Sequence, residues 1–191
     1  VTLDAAYFAF VAAVAAERGL ELWLSRRNAA RALARGGIEL GREHFGWMRA
    51  MHAAFLASCV LEPWLLERPL DLRLALPMLA LALGARALRY WAIAALGERW
   101  NVRVIVVPGD SVVARGPYRW LRHPNYTAVV IELLALPLIH AAWLTALVFS
   151  ALNGLLLRER IRVEERALAE HCTGGEQLGD RPRLVPLGSA R

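Results

Sequence analysis

The sequence predicts an all-α integral membrane protein with five transmembrane helices, the last two forming a helical hairpin, the N-terminus outside and the C-terminus in the cytoplasm. Three observations predict it. The 191-residue chain is 57% hydrophobic with a mean hydropathy of +0.36, too apolar for a water-soluble domain of this size. Its apolar residues gather into runs that meet the length of about 20 residues a helix needs to cross a bilayer. Its positive charge is all arginine, since the sequence has no lysine, and it falls in alternate connections between those runs, following the positive-inside bias.

Residues 3–24 form the first run, with Glu17 and Arg18 near its end. Asp4 stands where a secretory leader would carry basic residues, so the run reads as a retained span. Arg26, Arg27, Arg31 and Arg35 follow, in a short arginine-rich helix that Gly36-Gly37 ends. Residues 45–66 and 72–96 are the second and third runs, and the connection between them balances two arginines with two acids. Arg86 can reach the cytoplasmic boundary beside Arg89 by snorkelling. Residues 101–107 alternate weakly and are rich in valine, which suits extended backbone, and Pro108-Gly109-Asp110 and Gly116-Pro117 mark turns.

Residues 127–157 are apolar for 31 residues, interrupted mainly by Glu132, His140 and Asn153. A single helix of that length, at about 1.5 Å per residue, would overshoot a bilayer. With Pro137 near its middle, the run reads as two short helices turning around residues 138–142. Arg99, Arg103, Arg115, Arg119 and Arg122 precede this hairpin, its turn has none, and Arg158, Arg160, Arg162 and Arg166 follow it. Trp23, Trp47, Trp64, Trp100, Trp120 and Trp143 fall near the expected interfaces, where tryptophan is enriched. The chain divides into a three-helix membrane region (1–96), a core of connector, hairpin and following helix (97–168), and a cytoplasmic tail (169–191).

The arginines border apolar runs instead of forming a basic arm, so they argue for membrane topology and against nucleic acid. Without lysine there is no Schiff base and no P-loop. The sequence has no GxSxG, HExxH or GxGxxG. Cys59 and Cys172 form no CxxC, and His44, His52, His140 and His171 lack metal-ligand spacing, so they read as structural or exposed and no metal is expected.

Three polar sets remain. The first is GPYRWLRHPNY, residues 116–126, where Pro124 suits the first position of a helix. The free N–H groups of a helix start attract a carboxylate, and Tyr118, His123, Asn125 and Tyr126 surround that place. By composition alone the segment better suits an anchor at headgroup depth. In the second, RERIRVEERAL, Arg160 and Glu164 share one helix face; an anion and a cation could be held there side by side, or the face could simply be a solvated helix end. Glu132, Asn153 and Arg86 form the third, polar groups costly in lipid and candidates for function by that cost, although Glu132 could equally pair with an arginine across the bundle.

Taken in order, G-x-Y-x-x-x-R-H-P-x-Y at the start of a membrane hairpin and R-x-x-x-E-E after it resemble the isoprenylcysteine carboxyl methyltransferase family. A narrower resemblance, through RYWAIAALGERWNVRVIVVPG and GPYRWLRHPNYTAVVIELLALPL, is to a bacterial branch encoded near type III polyketide synthases and associated with O-methylation of alkylpyrones and alkylresorcinols. The resemblance implies S-adenosylmethionine as cofactor, a lipophilic or prenylated acceptor among membrane lipids, and a multi-pass protein of the cytoplasmic membrane with its active site facing the cytoplasm. It implies cofactor contacts from Asp110, Ser111, Val112, Val113, Tyr118, His123, Pro124, Asn125, Tyr126 and Glu164. Arg103 stands where eukaryotic relatives have glutamine. Arg160 falls on the family's substrate-binding arginine, and Glu132 and Asn153 are the intramembrane substrate candidates.

Two positions depart from the pattern: Ala128 stands where glycine often follows, and the tail HCTGGEQLGDRPRLVP lacks the usual aromatic residues, which bears on the lid over adenine. Membrane sterol reductases carry a similar RHPNY element, so an NADPH-dependent reductase is the alternative.

Overall fold

The computed structural model describes residues 2–175 and 181–184, with the side chains of Glu43 and His44 excepted. Five α-helices dominate: α1 (Leu3–Ala34), α2 (Arg42–Leu65), α3 (Leu72–Leu96), α4 (Pro124–Leu138) and α5 (Trp143–His171). The arginine-rich helix expected after the first run is not separate. It continues α1 without a break to Ala34, because an alanine-rich segment with no Gly or Pro has no reason to stop. The long apolar run does divide into α4 and α5, turning over residues 139–142, with Ala141 at a left-handed φ of 52°. Only α4 is short, at 15 residues; α5 runs 29 residues and carries the RERIRVEE segment on the same rod.

Residues 104–106 are extended as expected, forming β2 (Val104–Val106). Its partner, β1 (Ile38–Leu40), was not anticipated. The two pair antiparallel, Ile38 opposite Val106 and Leu40 opposite Val104, and so fasten the α1–α2 connection to the α3–α4 connection. The connector is tied a second time where Gly109 and Val112 donate to the carbonyls of His171 and Thr173, and Thr173 donates to Asp110.

Helix faces follow spacing more than average hydropathy. On α1 the buried positions Tyr7, Val11, Val14, Glu21, Ser25 and Asn28 lie on one stripe of alternating three- and four-residue steps. On α3 the buried positions are Ala75, Ala82, Ala85, Ala92 and Ala95, with Arg89 among them. Small residues let backbones approach closely, and α3 packs most extensively on α4. α4 is buried on most of its circumference and lies at the centre.

Outside this core the helices expose large apolar side chains, among them Leu76, Leu83, Leu147 and Leu155 at 50–72% exposure. Such a belt is an aggregation liability in water and is accepted by lipid. Among the described residues, one helix, Leu72–Arg99, is long and apolar enough to cross a membrane, and Pro124–Leu138 is a shorter apolar helix.

Candidate functional site

The motif Gly116 to Tyr126 forms a 3₁₀ turn (Gly116–Arg119) leading into α4 at Pro124. Gly116 has a φ of 58°, and a Cβ there would come within 2.9 Å of the Ala95 Cβ. The turn therefore seats on α3 only with glycine. Two amide donors at the helix start are taken by the tail: Arg122 N–H bonds the Pro182 carbonyl at 3.0 Å and His123 N–H the Arg183 carbonyl at 3.1 Å. Thr127 Oγ1 donates to the Leu184 carbonyl at 2.6 Å. Residues 176–180 and 185–191 of the tail lie outside the described residues.

His123 is buried and stacks on Tyr126, ring centroids 5.2 Å apart. Its Nε2 meets Glu165 at 3.3 Å and its Nδ1 faces Glu164 at 3.7 Å. Burial alone would lower the imidazole pKa, but the two carboxylates outweigh it and raise it. Burial would likewise raise Glu164, yet His123 and then Arg160 and Tyr126 bring it down to about 2. Glu165 also receives Arg122 at 3.0 Å and Arg183 at 2.7 Å, so one acid of the pair clasps the tail while the other faces inward.

Arg160 donates from Nε to the Tyr126 hydroxyl at 2.7 Å, and that hydroxyl donates to Glu164. Its Nη2 reaches the Val102 carbonyl. Among the described residues the Arg160 Nη1 meets only the Met48 thioether, at 3.7 Å, a weak acceptor.

Two cavities meet here. A groove of about 160 Å³ is lined by Asp110, Ser111, Val112, Val113, Tyr118, His123, Asn125, Tyr126, Glu164 and Arg103, together with Arg31, Arg35, Glu98 and Arg99. Pro124 is buried beside it without lining it. A chamber of about 690 Å³ is lined by Arg160 and Asn153 and by residues of α1, α2 and α3, including Arg18, Glu21, His52 and Arg89. Trp100, Asn101, Asn125 and Tyr126 line both. Trp100 is thus not an interfacial anchor; it is 2% exposed.

Glu132 lines neither cavity. It stands 3.4 Å from Arg18 and 3.9 Å from Arg86. Arg86 turns inward to Glu17 instead of snorkelling, since an acid in the same low-dielectric layer offers it a partner. Arg103 pairs with Glu39, and Asp110 with Arg35 at 2.8 Å and Arg99 at 3.6 Å. The sequence reading missed the lining from Arg18, Glu21, Met48, His52 and Arg89. The buried stripe of α1, steps of three and four from Tyr7, passes through 18 and 21 and is the signal that could have found two of them.

The site is thus a groove of mixed charge and a larger chamber that share one wall inside an apolar helical bundle. The isoprenylcysteine carboxyl methyltransferase (ICMT) family model matches residues 78–170. The Bacillus subtilis (strain 168) protein YpbQ, described as uncharacterized, is 36% identical over 166 residues, covering 86% of this chain and 98% of that protein. A Haemophilus influenzae protein (strain ATCC 51907 / DSM 11121 / KW20 / Rd), also described as uncharacterized, is 29% identical over 160 residues, 83% of this chain and 92% of its own length. The chain belongs to the ICMT family and is a membrane methyltransferase of that type.

Proposed function

We propose that the chain is an S-adenosylmethionine-dependent O-methyltransferase acting on a lipophilic acceptor, with the groove as cofactor site and the chamber as acceptor site. The observation that carries this is the shared wall at Trp100, Asn101, Asn125 and Tyr126, where a polar donor and an apolar acceptor can meet with little water between them. Family membership favours this over the reductase reading.

The groove suits a zwitterionic, cationic nucleoside. It offers Glu98, Asp110 and Glu164 for positive groups, Arg31, Arg35 and Arg99 for a carboxylate, and an Asn125 Oδ1 that is buried without a partner among the described residues. At about 160 Å³ the groove is narrow. The half-exposed Arg35 and Arg99, which bridge to Asp110, would hold the carboxylate of the ligand. When bound, S-adenosylmethionine supplies a methyl group already activated on a sulfonium.

The protein's own task is then alignment and charge. Arg160, with Nη1 on a weak acceptor, orients an acceptor oxyanion and favours its ionised form. A carboxylate arrives ionised, and an acidic enol or phenol gives its proton to water, so no strong general base is required. Glu164, held anionic, keeps the groove receptive to positive charge. Arginine placement and the exposed apolar belt support five spans with the groove facing the cytoplasm, in the cytoplasmic membrane. The acceptor classes are a prenylated cysteine carboxylate and, by resemblance to the bacterial branch, an alkylpyrone or alkylresorcinol made by a type III polyketide synthase.

Calorimetry on the full chain in detergent tests the reading. S-adenosylmethionine binds the wild type and Arg160→Ala within about threefold of each other, while methyl transfer to the acceptor falls at least about a hundredfold in the variant. Absence of cofactor binding by the wild type overturns it. Mass spectrometry of lipids from a host expressing the chain identifies the acceptor by its added methyl.

A further inference from the structure

We propose that His52 and Asn153 form a second recognition tier inside the chamber, which takes a neutral hydroxyl of the acceptor distinct from the oxygen held at Arg160. The proposal rests on the reading of the chamber as the acceptor site.

Asn153 is 5% exposed and lines the chamber, yet among the described residues its amide has no hydrogen-bond partner. Its atoms are not among those sealed from the cavity, so the group opens into it. A buried primary amide left unpaired is costly, and in an apolar chamber such a group points to a polar ligand. His52, from α2, lines the same space. Its Nδ1 stands 2.8 Å from the Met48 carbonyl, which can only accept, so Nδ1 carries the proton. In the neutral ring Nε2 is then a bare acceptor, and it too is without a partner among the described residues and not sealed off. A bare acceptor beside an amide calls for an O–H.

Both groups stand at one depth. α2 and α5 run antiparallel, with Met48 against Arg160 at 3.7 Å and Ser58 against Thr145 at 3.3 Å, which brings His52 opposite Asn153. Asn153 lies seven residues from Arg160 on the same face of α5, a rise of about 10 Å. Two meta oxygens on a six-membered ring, about 5 Å apart, with a hydrogen bond of about 2.8 Å at each end, span a similar distance.

The groups of the tier itself are neutral, an amide and an imidazole acceptor, so they suit a hydroxyl and not an anion. Around them Glu17, Glu21 and Glu132 are matched by Arg18, Arg86 and Arg89, and Arg49, which also lines the chamber, lies over the Phe45 ring.

The test is binding to the full chain in nanodiscs without cofactor, using a 5-alkylresorcinol, the 3-alkylphenol that lacks its second hydroxyl, and the alkylbenzene, all of one chain length. The wild type binds the resorcinol about tenfold more tightly than the phenol, the worth of one buried hydrogen bond. Asn153→Leu and His52→Phe erase that preference and leave phenol affinity within about twofold. Equal affinity of resorcinol and phenol for the wild type overturns the proposal, as does a variant that weakens all three ligands alike. S-adenosylmethionine binding, measured separately, distinguishes the failures: its loss removes the methyltransferase reading, while the hydroxyl preference alone decides the tier.

Discussion

The Tyr126 hydroxyl joins Arg160 to Glu164, accepting from the guanidinium at 2.7 Å and donating to the carboxylate. A residue at the start of α4 thereby sets the positions of two side chains one turn apart on α5, one facing the chamber and one the groove.

Tyr126→Phe removes both hydrogen bonds while keeping the ring. Turnover is expected to fall about ten- to a hundredfold, because the arginine loses its fixed orientation. Affinity for S-adenosylmethionine, measured by calorimetry, falls by less than turnover, and the fold loses about 1–2 kcal/mol.

The imidazole of His123 gives the site a pH dependence. Its folded pKa is raised by Glu164 and Glu165 against the effect of burial. The stabilisation is therefore fully present below the unfolded value of about 6.5 and is lost as pH rises through the folded value. Thermal unfolding in detergent should show wild-type Tm falling over that interval relative to His123→Phe. Glu164 acts oppositely: its folded pKa of about 2 contributes stability above the unfolded carboxylate value, lost as pH drops toward 2. A Glu164→Gln variant should lack that acid-side loss.

Glu21 and Arg89 form a bidentate pair at 2.7 and 2.6 Å inside the bundle. Arg89→Met leaves a buried carboxylate with less compensation and should cost about 3–5 kcal/mol. Adding Glu21→Met should recover most of that loss. Chemical unfolding of the two single variants and the double closes the cycle.

The carboxylate of Glu62, on α2, accepts from Leu144 N–H at 3.2 Å and Thr145 N–H at 2.7 Å, capping α5, whose own N-cap Ala142 has no side-chain bond. Glu62→Ala should destabilise by about 1–2 kcal/mol, seen as a lower unfolding midpoint with S-adenosylmethionine affinity unchanged.

Local chemistry made much of this legible. The α3 bounds, the division at Pro137 and the helix start at Pro124 follow from apolar length and proline's missing N–H. That residues 116–126 share a site with Arg160 and Glu164 is what the family resemblance implied, and Tyr126 does bond both. What stayed hidden is tertiary. β1 is three residues long, too short for an alternating pattern to stand out. Arg18, Arg86 and Arg89 sit in long apolar runs where hydropathy reads each as an isolated cost; packing gives Glu21 to Arg18 and Arg89 and Glu17 to Arg86, while an arginine for Glu132 was the one pairing the sequence offered. Trp100 carries the composition of an interface anchor, and its burial depends on where the connector folds back.

The tail's hold on the α4 start has a consequence for how its sequence can change. Pro182, Arg183 and Leu184 are joined to Arg122, His123 and Thr127 through their carbonyl oxygens, which every amino acid possesses. Among the described residues 181–184, only Arg181, on the Tyr118 carbonyl, and Arg183, on Glu165, use side chains for polar contacts. The described clasp therefore tolerates drift in most of its letters, and the missing tail aromatics leave it intact.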